Sequence, residues 1–115
     1  MLKEFIKKLP KNTDGALIVS PENRRYFTGF DASDGFLFAT KNGSVFLTDS
    51  RYIEAAKDKI NCCDVEEKKT RLIEYAERFG CKTLAVEADR LTVTQLKNLR
   101  MALHGIKLTT VGTDK

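Results

Sequence analysis

The stretch YFTGFDASDGFLFATKNGSVFLTDSRYIEAA, from Tyr26 to Ala56, contains the turn and strand signals that decide the fold. It begins with a loop between Gly29 and Gly35, which an apolar run, an Asn-Gly pair, a second apolar run and TDSRY follow. Two β-rich runs joined through Asn-Gly are a strong signal for a β-hairpin. Both runs are almost entirely apolar, which is typical of strands covered on both faces. The stretch therefore predicts a central antiparallel hairpin between layers of helices.

Helical and strand patterns alternate on both sides of this hairpin. Apolar residues at helical spacing predict helices that begin near Leu2, Pro21, Ser50, Leu72 and Val93. Short β-rich runs predict strands over 16–20, 35–40, 45–48, 63–67, 83–89 and 106–111, with 63–67 at an edge. This order predicts an α/β fold in one domain over 1–115. We expect a three-layer mixed sheet with a central antiparallel hairpin flanked by helices, in a ribonuclease-H-like topology.

Residues that favour helix ends mark several of these boundaries. Ser20 before Pro21 predicts one helix start, Ser50 is a plausible cap for the next helix, and Thr92 with Gln95 has the spacing of a capping box. Gly80 lies where a helix C-terminal cap is expected. In the last helix, the apolar residues predicted to face inward are Val93, Leu96, Leu99 and Leu103.

Composition excludes several classes of protein. The chain has 115 residues, 42% of them apolar and 31% charged, with a net charge of +4. The charges are mixed in sign, so a solvated surface explains them and no nucleic-acid partner is expected. No apolar run approaches the ~20 residues that would span a bilayer, so no membrane partner is expected. Cys62, Cys63 and Cys81 lack C-x-x-C spacing. The neighbouring Cys62 and Cys63 could share a strained disulfide, but the pattern favours free thiols and a cytoplasmic location.

The sequence lacks the common motifs of catalytic and metal-binding sites. The segment DASDG lacks the glycine and glutamate positions of an EF-hand, and His104 is the only histidine. Nucleophile-elbow and phosphate-loop motifs do not occur. Three carboxylates at predicted strand ends, Asp49, Glu87 and Asp89, leave a small metal-dependent nuclease as one alternative. Otherwise we predict no catalytic and no metal-binding residue in this chain.

The loop itself can be explained as a structural joint between a helix and the hairpin. Gly29 and Gly35 permit unusual backbone angles at its two ends. Asp31, Ser33 and Asp34 can accept hydrogen bonds from local amides. At the end of the second hairpin strand, Asp49 can neutralise helix amides, and Arg51 could bridge to Asp34 or to Asp49.

The ordered set of motifs resembles the N-terminal domain of Xaa-Pro aminopeptidases and prolidases, the domain shared with creatinase. The family pattern is roughly N-Y-x-T-G-F, then S-D-G with an apolar strand, then T-D-x-R-Y and a helix. In this sequence the matching residues are Asn23, Tyr26 or Phe27, Thr28, Gly29, Phe30, Ser33, Asp34, Gly35, Thr48, Asp49, Arg51 and Tyr52. The later TLAVEAD and a Leu-rich helix match the family layout as well. The resemblance covers essentially the whole chain.

The resemblance implies that the peptidase chemistry lies in a C-terminal pita-bread domain outside this chain. That domain binds two divalent metal ions (manganese, cobalt or zinc) and cleaves the Xaa-Pro bond of short proline-containing peptides. The domain seen here would contribute to substrate access and to assembly of a homodimer. On this basis Phe30, Asp31, Ser33 and Asp34 are the predicted substrate-gating residues. Thr28, Gly29, Gly35, Asp49, Arg51 and Tyr52 are the predicted structural motif.

Two alternatives remain at the level of sequence. One is a free-standing interaction or nucleic-acid-binding module on the same fold. This alternative rests on the basic first helix, with Lys3, Lys7, Lys8 and Lys11. The other is the small nuclease described above.

Overall fold

A computed structural model describes residues 2–31, 35–87 and 89–111 of the chain. The first helix starts at the amino terminus and the others connect successive strands. The helices are α1 (Leu2–Lys7), α2 (Pro21–Thr28), α3 (Ile53–Lys59), α4 (Leu72–Arg78) and α5 (Val93–Ala102). None of the helices formed by these described residues is long and apolar enough to cross a membrane.

Six strands form one mixed sheet in the order β4-β3-β2-β1-β5-β6. The strands are β1 (Gly15–Ile18), β2 (Phe36–Thr40), β3 (Gly43–Thr48), β4 (Asp64–Glu67), β5 (Thr83–Glu87) and β6 (Lys107–Val111). Strand β2 is antiparallel to both neighbours, and the other pairs are parallel. The central antiparallel hairpin and the edge position of β4 confirm the predicted α/β fold class.

The core has two halves, one on each face of the sheet, so the molecule has three layers. Ala16 and Ile18 of β1 face one side and Leu17 the other, as the period of a strand requires. The first core cluster lies under α1, α2 and α3 and includes Leu2, Leu9, Phe27, Phe30, Phe46 and Ala56. The second core cluster lies under α4 and α5 and includes Phe38, Val45, Leu72, Tyr75, Leu84 and Leu99. Burial on both faces explains why the hairpin strands are apolar throughout.

Several predicted helix ends are confirmed by their hydrogen bonds. The Ser20 side chain accepts from the Asn23 amide, and Thr92 and Gln95 form a reciprocal capping box. After α4, the amide of Gly80 donates to Glu77 and that of Cys81 to Ala76, which is a Schellman arrangement. Gly80 has a φ of 69°, a value that glycine adopts without steric cost.

Other boundaries differ from the sequence predictions. Helix α3 begins at Ile53 with Tyr52 at its N-cap, so the prediction that Ser50 caps it is wrong. A turn intervenes, in which the Tyr52 amide donates to the Asp49 carbonyl oxygen. Val93 was predicted to face inward but is 86% exposed, because α5 packs on the sheet only through its later apolar residues. The first strand ends at Ile18, since Ser20 is already the cap of α2.

Candidate functional site at the carboxyl end of the sheet

Five of the six strands run in one direction, so their carboxyl ends lie at one end of the sheet. The start of α2 follows β1 there, and the segment 49–52 follows β3. Residues 30–34, named here the FDASD loop, connect α2 to the start of β2 at the same end. Ligand sites of open α/β sheets form outside the carboxyl ends of strands, so this end is the candidate site.

Thr28 and Gly29 set the direction in which the chain leaves α2. The Thr28 hydroxyl donates to the Arg24 carbonyl oxygen at 2.6 Å and accepts from the Phe30 amide at 3.1 Å. Gly29 has a φ of 74°, and its amide donates to the Arg25 carbonyl oxygen. The hydroxyl therefore ties the last turn of the helix to the first residue of the loop.

Phe30 anchors the beginning of the loop in the protein core. Its side chain is 8% exposed and belongs to the first core cluster. Its ring centroid lies 6.4 Å from that of Phe46 and 6.5 Å from that of Tyr52, in edge-to-face arrangements. Of the predicted gating residues, Phe30 thus contributes an anchor to the loop rather than an exposed ring.

Asp31 is the gating candidate whose side chain reaches solvent. Its carboxylate lies 3.7 Å from the Arg25 guanidinium, and both side chains are more than half exposed. Exposed pairs of this kind contribute about 0–1 kcal/mol, so the contact constrains Asp31 weakly. Ser33 and Asp34 lie outside the described residues.

The far end of the loop, at Gly35, is held by a hydrogen bond from a buried arginine. Arg24 is 4% exposed, and its Nη1 donates to the Gly35 carbonyl oxygen at 2.8 Å. A Cβ at position 35 would lie 2.9 Å from Phe46 Cζ and 3.0 Å from the Leu47 carbonyl oxygen. Glycine is therefore required here because the chain passes against both the hairpin and the arginine.

Asp49 and Arg51 form a compact ion pair beside the loop. Asp49 accepts from the Arg51 amide at 2.9 Å and from its Nη2 at 2.7 Å. The Arg51 side chain lowers the pKa of Asp49, chiefly by hydrogen bonding. The Arg51 guanidinium lies 5.2 Å from the ring centre of Tyr52, which in turn contacts Phe30. The predicted bridge to Asp49 is confirmed, and the alternative bridge to Asp34 falls outside the described residues.

Glu87, the last residue of β5, contacts the start of α2 at the same end of the sheet. It is fully buried, and its carboxylate accepts from the amides of Val19 and Ser20, the Ser20 hydroxyl and the Asn23 side chain. The helix start also places partial positive charge near this carboxylate. Glu87 therefore holds α2 on the sheet, and both of its carboxylate oxygens are occupied by these hydrogen bonds.

The contacts of Glu87 and Asp49 argue against the nuclease alternative. Glu87 is enclosed by donors, and Asp49 is paired with Arg51. Within residues 2–31, 35–87 and 89–111, no three His, Cys, Asp or Glu side chains lie together as metal ligands would.

Sequence reasoning missed the functions of Arg24 and Glu87. In the sequence Arg24 is only one of two adjacent arginines, and Glu87 is a carboxylate at a predicted strand end. The helical spacing does contain a signal for the burial of Arg24. It shares one face of the helix with Asn23, Phe27 and Thr28, and all four residues are buried. Nothing local marks Glu87, since its partners lie 64 to 68 residues away in sequence.

The fold defines a class of protein, namely an α/β domain in which the described residues on either side of the loop, Phe30 and Gly35, are anchored at the carboxyl end of the sheet. The Creatinase/Prolidase N-terminal domain model matches residues 3–114. The chain therefore belongs to the creatinase/prolidase N-terminal domain family.

Individual proteins agree with this assignment. The chain is 37% identical over 83 residues to an uncharacterized peptidase, YqhT, of Bacillus subtilis, which covers 69% of this chain and 24% of that protein. It is similar to a solved Xaa-Pro aminopeptidase (aminopeptidase P) structure from Streptococcus thermophilus, at 28% identity and a TM-score of 0.83, covering 96% of this chain and 88% of that one. It is also similar to the solved N-terminal domain of the cytoplasmic peptidase PepQ from Mycobacterium tuberculosis, at 29% identity and a TM-score of 0.76, covering 98% of this chain and 89% of that one. The chain spans about a quarter of the length of the curated relatives it matches.

Proposed function

We propose that this chain is the non-catalytic N-terminal domain of a proline-specific metallopeptidase that cleaves the Xaa-Pro bond of short peptides. The observation that carries the proposal is the family match over residues 3–114 of a chain that spans about a quarter of its curated relatives. The catalytic residues and the two divalent metal ions (manganese, cobalt or zinc) would come from a C-terminal domain of the same protein. A homodimer and a cytoplasmic location complete the proposal.

The FDASD loop is the part of this domain that we assign to substrate access. The loop is held at both ends, through the Thr28 hydroxyl and the buried Phe30 at one end and through Arg24 at the other. Between these anchors the exposed carboxylate of Asp31 remains available for contact with a partner. A loop fixed in this way can form a wall of a site on another domain and limit the length of peptide that enters.

Two experiments test the proposal, and the first uses the chain alone. Incubated with Mn²⁺, Co²⁺ or Zn²⁺ and Xaa-Pro dipeptides or tripeptides, the chain should release no amino acid. Sequencing of the gene beyond the codon for Lys115 should show a domain with the metal ligands of the family. Release of the N-terminal residue by the purified chain, or an open reading frame that ends at Lys115, would overturn the assignment.

The second experiment tests the loop in the full-length protein. Asp31→Asn should raise KM for short Xaa-Pro peptides several-fold while kcat changes little, because the change removes a charge beside the entering peptide. Asp64→Asn is the matched control, since Asp64 is also exposed but lies at the opposite end of the sheet, at the start of β4. Identical kinetic constants for the two variants would remove Asp31 from the substrate path.

A second candidate function is a free-standing interaction or nucleic-acid-binding module. It is supported by the exposed Lys3, Lys7 and Lys8 on and just after α1. Contacts between lysines and phosphates weaken steeply with salt, so gel-shift titrations at about 50 mM and about 200 mM salt would test this function. Complete lack of retardation at the lower salt concentration would exclude it.

A further inference from the structure

A pair of adjacent thiols lies at the opposite end of the sheet from the candidate site. Cys62 and Cys63 come directly before β4, and their sulfur atoms are 3.8 Å apart, within hydrogen-bonding distance. Cys62 is exposed, whereas Cys63 is half-buried and packs against the first core cluster. The pair therefore presents one accessible sulfur atom supported by a second one beneath it.

The two thiols line a groove of about 470 Å³ with a positive charge balance. Among the described residues, Lys3 and Lys7 of α1 and Lys41 of the hairpin turn line it, with one carboxylate, that of Asp64. Lys41 also donates to the Pro10 carbonyl oxygen at 3.3 Å, which holds its ammonium group near α1. A groove of this composition favours a small anionic molecule next to the thiols.

We propose that Cys62 is a site of reversible S-thiolation by an anionic low-molecular-weight disulfide of the glutathione-disulfide class. The Cys62 thiolate attacks one sulfur of the disulfide RSSR. A new bond forms between Cys62 Sγ and that sulfur, the S–S bond of the reagent breaks, and the second sulfur leaves as the thiolate RS⁻. The disulfide is the oxidant, and the lysines of the groove attract its carboxylates.

The neighbouring thiol makes Cys62 the reacting group. The hydrogen bond between the two thiols is the main cause that lowers the pKa of Cys62 to about 7. The same hydrogen bond, together with burial, raises the pKa of Cys63, so Cys63 keeps its proton and donates to Cys62 once Cys62 has ionised. The thiolate is the nucleophile in thiol–disulfide exchange, so Cys62 reacts and Cys63 positions the charge.

The reaction should stop at the mixed disulfide. The two Cα atoms are adjacent in the chain and therefore about 3.8 Å apart, below the range of about 4.4–6.8 Å found for disulfides. Cys63 is also a poor nucleophile because it stays protonated. A bond between Cys62 and Cys63 is disfavoured on both grounds, and the product carries one added group on Cys62.

Intact-protein mass spectrometry of the chain with glutathione disulfide tests the proposal. We expect one glutathionyl group per chain, located on Cys62 by peptide mapping and removed by dithiothreitol. Cys62→Ser should abolish the adduct and Cys81→Ser should leave it, because Cys81 is buried and its desolvation raises the pKa to about 11. An adduct on Cys81 instead, or a Cys62–Cys63 disulfide without adduct, would overturn the proposal.

Two variants of Cys63 separate its positioning role from a packing role. Cys63→Ala should move the midpoint of the pH–rate profile towards about 8.5, the ordinary pKa of cysteine, and slow the reaction about threefold at neutral pH. Cys63→Ser keeps a donor and should restore much of the rate. If both variants keep the midpoint near that of the unchanged chain, Cys63 does not activate Cys62.

A comparison of an anionic with a neutral disulfide tests whether the lysines attract the reagent. Glutathione disulfide should react with Cys62 several-fold faster at low salt than at high salt, whereas the neutral 2-hydroxyethyl disulfide should show little salt dependence. Substitution of Lys3 and Lys7 together by Gln should remove most of the difference between the two reagents. Equal rates and equal salt dependence for the two disulfides in the unchanged chain would show that the groove has no preference for anions.

Discussion

The side-chain amide of Asn23 donates a 2.6 Å hydrogen bond to Glu87 Oε2 across 64 residues of sequence. The same oxygen accepts from the Ser20 hydroxyl, and Oε1 accepts from the amides of Val19 and Ser20. Both oxygens of this buried carboxylate therefore have hydrogen-bond donors, as a buried polar group requires. The contact fixes the start of α2 against the end of β5, and α2 leads directly into the FDASD loop.

Glu87→Gln should lower the free energy of unfolding by about 3 kcal/mol, since a buried hydrogen bond to a charged group contributes about 1.5–3 kcal/mol and donors are left unpaired. Asn23→Ala should cost about 2 kcal/mol for the loss of one such bond. Urea denaturation at neutral pH measures both values. The double variant should cost less than the sum, because the two side chains share one contact.

Glu74→Gln is the control for this prediction. Glu74 lies on α4, where its side chain is 47% exposed and 3.5 Å from Arg71. Exposed substitutions usually change stability by less than about 0.5 kcal/mol. A loss for Glu87→Gln as small as that for Glu74→Gln would show that the buried carboxylate does not hold α2.

Gly35→Ala should destabilise the fold more than Gly29→Ala. Both glycines have positive φ values, 156° and 74°, so alanine is strained at either position. A Cβ at Gly29 meets no atom within 4 Å, whereas a Cβ at Gly35 would overlap Phe46 and Leu47. We expect a cost of about 1–2 kcal/mol at Gly29 from strain alone, and a further ~1–3 kcal/mol at Gly35 from overpacking.

Thermal and urea unfolding of the two variants give this comparison directly. The difference between them isolates the steric term, because both substitutions add the same methyl group to a glycine with positive φ. Equal losses at the two positions would mean that the chain at Gly35 has room to relax, and that its close approach to Phe46 and Leu47 does not require glycine.

The elements that sequence predicts well are those specified by neighbouring residues. The hairpin is marked by two apolar runs and Asn-Gly. Thr40 pairs with Gly43, so the observed turn, 41–42, is displaced by one position from the Asn-Gly pair. The capping box of α5 and the glycine after α4 are likewise specified within a few residues. Such signals are short-range and survive without knowledge of the rest of the fold.

The site depends on contacts that no local pattern specifies. Arg24 appears in the sequence as a charge next to another arginine, yet it is buried and holds Gly35 eleven residues later. Glu87 follows a predicted strand as a metal-binding or capping carboxylate would, but its donors come from the opposite part of the chain. The parallel pairing of β1 with β5 brings Glu87 next to its donors.

Thr28→Val should loosen the joint between α2 and the loop. The hydroxyl donates to the Arg24 carbonyl oxygen and accepts from the Phe30 amide, and valine keeps the shape but loses both bonds. We expect a loss of about 1–2 kcal/mol in the free energy of unfolding. Thr28→Ser retains the hydroxyl and is the matched control, so a serine variant as unstable as the valine variant would argue for a role of the methyl group instead.

Hydrogen exchange gives a local readout of the same change. In Thr28→Val the Phe30 amide should exchange faster than in the unchanged chain by a factor larger than the loss of global stability explains. Amides in β6, on the far side of the sheet, should change only by the global amount. Uniform acceleration of both regions would show that the hydroxyl supports the whole fold and not the loop.

Acid stability should depend on Asp14, which joins β1 to β5 at the opposite end of the sheet from the loop. Its Oδ2 accepts from the Lys82 amide at 2.7 Å and the Thr83 amide at 2.9 Å. These two hydrogen bonds lower the pKa of Asp14 below its ordinary value of 3.8. A carboxyl group with a lowered pKa in the folded state stabilises the fold above its ordinary pKa, and this contribution is lost as pH falls through the lowered value.

Asp14→Asn should therefore make the loss of stability below about pH 4 shallower, as measured by urea denaturation across a pH series. Asp49→Asn should also make the loss of stability at acid pH shallower, because Arg51 lowers the pKa of Asp49. Salt separates the two: the pairing of Asp49 with an exposed guanidinium is screened at about 0.5 M salt, whereas the amide hydrogen bonds of Asp14 are screened much less. An Asp14→Asn profile parallel to that of the unchanged chain at both salt concentrations would show that these amide hydrogen bonds do not contribute to acid stability.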